Sequence, residues 1–281
     1  MAKRQRNTNQ AVIDQRLKAG RGQGKGAEYT PWLHIQDVPS CGLVHRIKGW
    51  KTHREHHFLS TLECEYFYAL EWSLSVSDIR EQYPLLPQAE TLAIAQACGF
   101  RHPTDPRTKE PIVMTTDFVI TIALSHLQDV ECARTIKPST QLQSKRALEK
   151  LEIERRYWQA RNTDWAIVTE REIPRVLAKN VELQHRYLQL ADRLNLSEDK
   201  IQNIAQVLTT QVRQDHGSLR AATSACDRRL SLEPGTGLAI AYHLLATRQW
   251  LIDMNVRINP GKPLPLLDVT LGLKQGQGAR P

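Results

Sequence analysis

Two acidic residues and a lysine have the types and spacing of a phosphodiester-cleaving site. Asp117 lies in a predicted strand, and Thr135 and Lys137 in the next one, on one face because side chains alternate along a strand. Glu63 lies in the first turn of the preceding helix. Carboxylates bind Mg²⁺, which stabilises the attacking and leaving oxygens, and a lysine offsets charge on the phosphate. The pattern therefore indicates a metal-dependent nuclease.

Each of these residues also has a purely structural explanation. Glu63 completes a capping box with Ser60 at the start of a helix. Lys137 stands before a proline at the end of a strand, which is an ordinary surface position. The structural explanation is weakest for Asp117, because aspartate is depleted in strands. The residues by themselves leave both interpretations open.

The elements around these residues predict an α/β core. Their order is helix, strand, short helix, strand, strand, long helix and strand, so that one helix crosses between two strands. A loop at 125–130 joins the two middle strands. The predicted elements are Leu62–Leu74, Val76–Tyr83, Ala89–Cys98, Met114–Leu124, Glu131–Lys137, Thr140–Asn162 and Trp165–Thr169.

After about residue 175 the strand pattern gives way to helices. Helices are predicted at 174–191, 197–214 and 237–247, and a β-hairpin over 248–259. Helices followed by a ribbon are typical of a winged-helix-like domain, although a plain helical bundle is also compatible. We therefore predict four parts, which are a basic flexible arm at 1–28, a catalytic domain at 29–175, a helical domain at 176–270 and a disordered tail at 271–281.

Positive charge is concentrated at the front of the chain. Residues 1–60 hold 11 Lys and Arg against 4 Asp and Glu, and the whole chain has a formal charge of +8. This imbalance favours a nucleic-acid partner, and the alternative is a solvated basic tail. Six cations in or near the glycine-rich run at 20–26 are candidate phosphate contacts: Arg21, Lys25, Arg46, Lys48, Lys51 and Arg54.

The same region contains closely spaced histidines. His53, His56 and His57 suggest a metal site, but Glu55 is the only nearby residue that offers another ligand, so surface or phosphate-facing histidines are the preferred interpretation. The five cysteines are scattered without a C-x-x-C pair, which excludes a zinc ribbon and favours a reducing cytoplasm. No apolar run approaches the length of a membrane span, and no secretory signal is evident.

Several segments resemble one family specifically. They are GRGQGKGAEYTPWLHIQDVPSCGLVHRI, HHFLSTLECEYFYALEW, DIREQYPLLP, MTTDF, IKP and LEKLEIERRYWQARNTDWAIVTEREI. Together they run almost continuously from Gly20 to Ile173 and resemble the TnsA family, the endonuclease subunits of the heteromeric transposases of Tn7-like transposons. The resemblance is weak in the last third of the chain.

The resemblance implies a restriction-endonuclease-like mixed sheet with flanking helices in the N-terminal domain. It also implies an enzyme that cuts the 5′ strands at transposon ends, beside a DDE-type transposase subunit (TnsB) and an AAA+ ATPase (TnsC) in the bacterial cytoplasm. By motif, Glu63 and Asp117 are ligands of Mg²⁺, with Mn²⁺ as a substitute, and Lys137 is the catalytic lysine. The C-terminal domain of the family serves partner contacts.

One position departs from the family pattern. Thr135 stands where the family has Glu or Gln, and a hydroxyl is a poorer metal ligand, although it can hold a metal-bound water. Glu154 is the best compensating acid, and its alternative role is a helix-surface salt bridge to an arginine. The chain is thus predicted to be an active endonuclease or a weakly active adaptor between transposase, ATPase and DNA. A third hypothesis is a stand-alone restriction-type nuclease that acts without partners.

Overall fold

A computed structural model describes residues 8–270 apart from 39–42, 125–127, 191–193, 195 and 215–216. The chain divides after Ile173 into two compact units, which are described separately. Part of the predicted loop at 125–130 and the predicted tail at 271–281 lie outside the described residues. Within the described part, no helix combines the length and apolar character needed to cross a bilayer.

The first unit contains a mixed four-stranded sheet in the order β3-β4-β5-β6. Strands β3 to β5 are antiparallel, and β6 lies parallel to β5. A separate antiparallel pair, β1 and β2, precedes the sheet. The strands are β1 (His45–Lys48), β2 (Glu55–Phe58), β3 (Val76–Pro84), β4 (Thr115–Ile122), β5 (Val130–Ile136) and β6 (Asp164–Val168).

The described α-helices of this unit are α1 (Gln10–Lys18), α2 (Thr61–Trp72), α3 (Gln88–Ala97) and α4 (Lys145–Gln159). Helix α2 begins at the predicted capping box, where the Ser60 side chain accepts a hydrogen bond from the Glu63 amide. Helix α4 is the crossover between the parallel strands β5 and β6. The predicted mixed sheet with flanking helices is confirmed.

One apolar cluster of this unit lies between α4 and the sheet. Ile153 and Tyr157 of α4 are buried against Val119 of β4 and Ala133 of β5. Because Ile153 and Tyr157 are four residues apart, they lie on one face of the helix, and that face packs on the sheet. The polar face of the same helix carries the paired charges of Glu152 with arginines one turn later. Burial thus fixes the rotation of α4 about its axis.

The glycine-rich segment is packed on the first unit, in contrast to the flexible arm predicted for 1–28. Its glycines at 20, 22, 24 and 26 have positive φ angles, a conformation that other residues rarely adopt. A Cβ on Gly22 would collide with the ring of Pro84 at the end of β3. Tyr29, which follows, is buried and donates its hydroxyl to the Glu81 carbonyl at 3.0 Å. The segment from α1 to Tyr29 therefore has one defined conformation.

The second unit is mainly helical around one apolar core. Trp250 and Leu208 are among its fully buried side chains, and the Trp250 indole donates to Thr209 Oγ1 at 2.9 Å. Its described helices and strands are α5 (Arg175–His185), α6 (Glu198–Gln214), α7 (Leu219–Arg229), α8 (Thr236–Ala246), β7 (Trp250–Leu251) and β8 (Asp268–Val269).

The prediction for this unit was incomplete. Helix α5 ends at His185, earlier than predicted, and α7 was not predicted. The hairpin predicted over 248–259 is wrong, because β7 pairs with β8, which lies further along the chain. The two-residue strands form only a short ribbon after the helices. A winged-helix-like fold therefore stays a prediction.

Candidate active site

The predicted aspartate and lysine meet across two neighbouring strands. Asp117 Oδ2 accepts hydrogen bonds from Lys137 Nζ and from the Ile136 amide, both at 2.7 Å. The antiparallel register of β4 and β5 produces this contact, since Phe118 lies opposite Arg134 and the preceding Asp117 therefore reaches the end of β5. Lys137 Nζ also donates to the Ile136 carbonyl at 3.0 Å. The structure thus brings the two residues together as an ion pair.

Glu63 is both a capping residue and a neighbour of this pair. Its carboxylate accepts from Ser60 Oγ at 2.8 Å and from the Leu59 amide at 3.0 Å, so the structural role predicted for it is real. Burial raises the pKa of Glu63 to about 7, and the negative charge of Asp117 contributes to the rise. The capping box therefore holds the carboxylate at the site rather than away from it.

Thr135 and Glu154 contact each other inside the protein. The hydroxyl of Thr135 donates to Glu154 Oε1, which also accepts from Thr116 Oγ1 at 2.8 Å and from Trp165 Nε1 at 3.1 Å. Glu154 is only 4% exposed, and the neighbouring Arg155 and Arg156 pair with Glu152 instead. The surface salt bridge considered for Glu154 is therefore wrong. Burial, assisted by Asp117, raises its pKa to about 7.

Negative charge exceeds positive charge at this site. Burial by itself would lower the pKa of Lys137, but Asp117, Glu154 and Glu63 raise it. One lysine therefore faces three carboxyl groups, two of which resist ionisation at neutral pH. Hard oxygen donors in excess are the ligand chemistry of Mg²⁺. Among the described residues, however, no three His, Cys, Asp or Glu side chains are grouped closely enough to hold a metal ion as they stand.

Gln82 is a site residue that the sequence did not single out. Its side-chain amide donates to Glu63 Oε2 at 3.2 Å, and its carbonyl accepts from the Trp32 amide at 3.2 Å. The Gln82 backbone has a φ of 49°, a conformation that non-glycine residues adopt rarely and that is enriched at functional sites. Gln82 could have been found only as a glutamine of β3 that lies opposite Asp117 of β4. That alignment is known only once the register of β3 on β4 is known.

Trp165 is a second site residue missing from the sequence-based set. Its indole reaches both Glu154 Oε1 and Thr135 Oγ1, the latter at 3.3 Å. The sequence placed it at the start of an apolar strand. A part-buried indole needs a hydrogen-bond acceptor, and that need was the only available clue.

Two of the six predicted phosphate-binding cations are engaged inside the first unit. Arg54 is almost fully buried and donates to Glu81 Oε1 and to the Ile79 carbonyl, each at 2.8 Å. Arg21 is paired with Asp37 and donates to the Trp32 carbonyl at 3.0 Å. The structure gives both arginines an internal role, and we remove them from the proposed DNA surface.

The other four cations remain candidates to different degrees. Lys51 donates its ammonium to the Ser73 carbonyl at 2.7 Å. Lys25 and Arg46 have well-exposed side chains, which contact Glu131 and Glu55 respectively. Lys48 is exposed on β1. Exposed lysines and arginines exchange such weak surface pairs for phosphate readily.

The closely spaced histidines do not behave alike. His56 is fully buried, with Nδ1 2.8 Å from Glu81 Oε2 and Nε2 2.7 Å from Thr52 Oγ1. The surface interpretation is therefore wrong for His56, because a buried carboxylate and a threonine take both ring nitrogens. His57 stacks on His34 with ring centroids 4.6 Å apart. His53 occupies a turn with a positive φ of 57°.

Comparisons with known proteins identify the family. Two family models match in succession, "TnsA-like endonuclease N terminal" over residues 73–170 and "TnsA endonuclease C terminal" over 172–254. The first match includes Asp117, Thr135, Lys137 and Glu154 but begins after Glu63.

A curated relative agrees with both models. The transposon Tn7 transposition protein TnsA of Escherichia coli is 46% identical over 182 residues, which make up 65% of this chain and 65% of that protein. The chain thus spans slightly less than two thirds of the length of this relative. Two consecutive TnsA domains and this identity agree with the geometry of a nuclease-like site, and the chain belongs to the TnsA family of endonucleases.

Proposed function

We propose that this chain is the DNA endonuclease subunit of a Tn7-like transposase and hydrolyses the 5′ strands at the transposon ends. The observation that carries the proposal is the Asp117–Lys137 pair across β4 and β5, with the buried carboxyl groups of Glu63 and Glu154 beside it. Paired carboxylates with a lysine serve phosphodiester hydrolysis, in which water forms a bond to phosphorus and the bond to the 3′ oxygen breaks.

The residues of the chain have separate tasks in this reaction. Lys137 orients the attacking water and offsets the charge that develops on the phosphate, and Asp117 holds its ammonium group. Gln82 and the capping box fix the carboxylate of Glu63. Thr116, Thr135 and Trp165 fix Glu154 in the same way. Products are a 3′-hydroxyl and a 5′-phosphate.

A divalent cation, Mg²⁺ with Mn²⁺ as a substitute, belongs to this proposal. Asp117, Glu63 and Glu154 would hold it, with Thr135 contacting a bound water, because these oxygens carry more negative charge than Lys137 balances. When bound, such an ion supplies Lewis-acid stabilisation of the reacting phosphate oxygens.

A transposition assay with the partner subunits tests the proposal. We expect Asp117→Ala to abolish cutting of the 5′ strands while the partner still joins the 3′ ends, so that cointegrates replace simple insertions. Glu63→Gln and Lys137→Ala should give the same products. Simple insertions at the wild-type rate from Asp117→Ala would refute the assignment of the site.

The second candidate function is a non-enzymatic adaptor between transposase, ATPase and DNA. It is favoured by Thr135, which stands where the family pattern has Glu or Gln and whose hydroxyl donates to Glu154. An adaptor predicts cointegrates from the wild-type protein as well. Strand mapping with wild-type and Asp117→Ala proteins side by side therefore separates the two functions.

Double-stranded DNA, a DDE-type transposase subunit (TnsB) and an AAA+ ATPase (TnsC) are the proposed partners, in the bacterial cytoplasm at the nucleoid. The exposed Lys25, Arg46 and Lys48 are the proposed phosphate contacts of the first unit. Changing all three to alanine should flatten the salt dependence of DNA binding, because each lost contact removes about one released counterion. The helical second unit, proposed to be winged-helix-like, serves the protein partners.

A further inference from the structure

A cavity of about 420 Å³ adjoins the candidate active site. Lys137 and Glu154 form part of its wall, and the first turn of α4 forms another part through Ser144 and Ala147. The volume lies in the range of pockets that enclose small organic groups, about 300–1,000 Å³. A phosphate held by Lys137 would therefore lie next to this cavity, because Lys137 forms part of its wall.

Most of the wall is apolar. Ile112, Met114, Leu142 and Leu151 supply aliphatic or thioether surface, and Pro103 supplies a ring. Such a wall offers few hydrogen bonds, so it favours a flat, weakly solvated group over a phosphate or a sugar. In DNA that description applies to the faces of the bases, which pack between apolar side chains in pockets that receive a base.

Positive charge accompanies the apolar wall. Lys137, Arg146 and Lys150 all line the cavity, and Lys150 is exposed. Arg146 shares part of its charge with Glu149 at 2.9 Å. Three cations facing one space favour an anionic chain at its entrance.

We propose that this cavity receives one unstacked base of the strand being cut, while Lys150 and Arg146 hold the phosphates on either side of that nucleotide. The inference rests on the proposed endonuclease function. Enzymes that do chemistry on a base turn that nucleotide out of the stack, which costs a few kcal/mol that pocket contacts must offset. In this protein, holding the unstacked base would fix the position of the neighbouring phosphate against Lys137.

A DNA base suits the cavity better than a side chain of a protein partner. The cavity shares two residues, Lys137 and Glu154, with the catalytic site, and a protein segment filling it would cover the lysine that the phosphate must reach. The cations in its wall match a phosphate backbone and oppose a basic DNA-binding partner. A single nucleotide satisfies both the apolar wall and the charge.

Filling the cavity tests the inference. Ala147 lines it, whereas its neighbour Leu148 is 47% exposed and lies outside it, so Leu148→Trp is the matched control for Ala147→Trp. Cutting of transposon-end DNA with the partner subunits is measured on a series of duplexes, each with one abasic nucleotide near the cut. For wild type and Leu148→Trp, we expect one position at which base removal slows cutting about tenfold.

Ala147→Trp should slow cutting of normal DNA about tenfold, and removal of the base at that same position should cost this variant nothing further. Equal slowing of Ala147→Trp on every duplex, with the usual additional loss at the abasic position, would assign the cavity to a protein partner and overturn the inference. Cutting by Ala147→Trp at the rate of Leu148→Trp would also overturn it. Asp117→Ala serves as the reference, since its inactivity shows that the endonuclease function holds even if the inference fails.

A binding measurement removes the dependence on activity. Duplexes carrying 2-aminopurine at the sensitive position, bound in EDTA by the full chain with its partners, should brighten with wild type and Leu148→Trp but not with Ala147→Trp. Lys150→Ala should weaken the brightening, whereas Lys145→Ala, on the same helix but outside the cavity, should not. Brightening that survives in Ala147→Trp, or none at any position with wild type, would refute the pocket.

Discussion

Two buried clusters of charged residues in the first unit differ in the direction in which their carboxyl pKa values shift. The Glu81 cluster consists of Arg54, His56 and Glu81, and the second cluster is the candidate active site. Burial would raise the pKa of Glu81, but His56 and Arg54 hold it well below its usual range. At the candidate active site the carboxyl groups of Glu63 and Glu154 have pKa values raised to about 7. The first cluster has a partner for each charge, whereas the second has one lysine for three acids.

The difference indicates which cluster serves stability and which serves function. A cluster in which each buried charge is paired stabilises the fold and needs no further ligand. A cluster with unpaired buried acids lowers the free energy of unfolding, and such clusters are found where a ligand supplies the missing positive charge. The Glu81 cluster therefore belongs to the scaffold, and the surplus of carboxyl groups near Lys137 supports the proposed cation site.

The largest expected effect concerns the compensated cluster. Glu81→Gln leaves Arg54 buried without its counter-charge and should lower the free energy of unfolding by about 3–5 kcal/mol. Glu154→Gln is the matched control and should leave that free energy unchanged or raise it, because it removes an uncompensated acid. Urea unfolding at pH 8 without divalent ions measures both. Equal losses in the two variants would abolish the distinction between the clusters.

The pH dependence of stability should also differ between the clusters. Glu63 and Glu154 have folded pKa values near 7 against an ordinary 4.5, so the folded protein holds more protons than the unfolded chain between these values. Stability without metal therefore falls as pH rises from about 4.5 to 7, by roughly 3 kcal/mol for one such group.

The Glu81 cluster acts in the other direction and in a lower range. Its depressed pKa stabilises the fold above the ordinary value of 4.5 and loses that contribution as the pH falls below it. Thermal melting in EDTA across pH 3–8 measures stability in both pH ranges. Glu154→Gln should reduce the fall of stability between about pH 4.5 and 7 and leave the loss below pH 4.5 unchanged. An unchanged slope between pH 4.5 and 7 would contradict the assignment.

Mg²⁺ should offset the surplus of negative charge. Binding to the folded state alone raises the free energy of unfolding by about 2.7 kcal/mol at a hundred times the dissociation constant. We expect this stabilisation in wild type and in Glu81→Gln but not in Asp117→Ala. Melting curves with and without Mg²⁺ measure it. Stabilisation that survives in Asp117→Ala would place the ion elsewhere.

The smallest expected effect concerns Thr135. Thr135→Val removes one of the donors to Glu154, while Thr116 and Trp165 remain, so cutting should slow by an amount equivalent to about 1 kcal/mol. Thr135→Ser keeps the hydroxyl and should cut at the wild-type rate. Single-turnover cutting with the partner subunits compares the two. A loss in the serine variant as large as in valine would show that the methyl group, and not the hydroxyl, matters.

Local patterns predicted the elements and motif residues of the first unit well. The capping box of α2 and the strand that carries Asp117 are each defined by a few neighbouring residues, and the structure contains both elements. The contacts of Gln82 and Trp165 depend instead on the register of β3 on β4 and on the docking of α4. Pairing across the sheet is a long-range property, which explains why these two residues were missed.

Charge counts were a weaker guide than pattern. The basic front end suggested six phosphate contacts, yet Arg21 and Arg54 balance acids inside the first unit. A sequence gives the sign of a charge and not its partner, since Asp37 and Glu81 lie 16 and 27 residues away from these arginines. The predicted hairpin at 248–259 failed for the same reason, because the partner of β7 is β8.

The parallel pairing of β5 with β6 has a consequence for synthesis of the protein. The Lys137 amide bonds to the Val168 carbonyl at 3.0 Å, and Trp165 bonds to Glu154, so the last parts of the site arrive with β6. A parallel pair forms only after its crossover helix is in place, which makes it a late step in folding. A ribosome-bound chain that has not yet exposed β6 therefore carries Glu63, Asp117 and Lys137 without an assembled site.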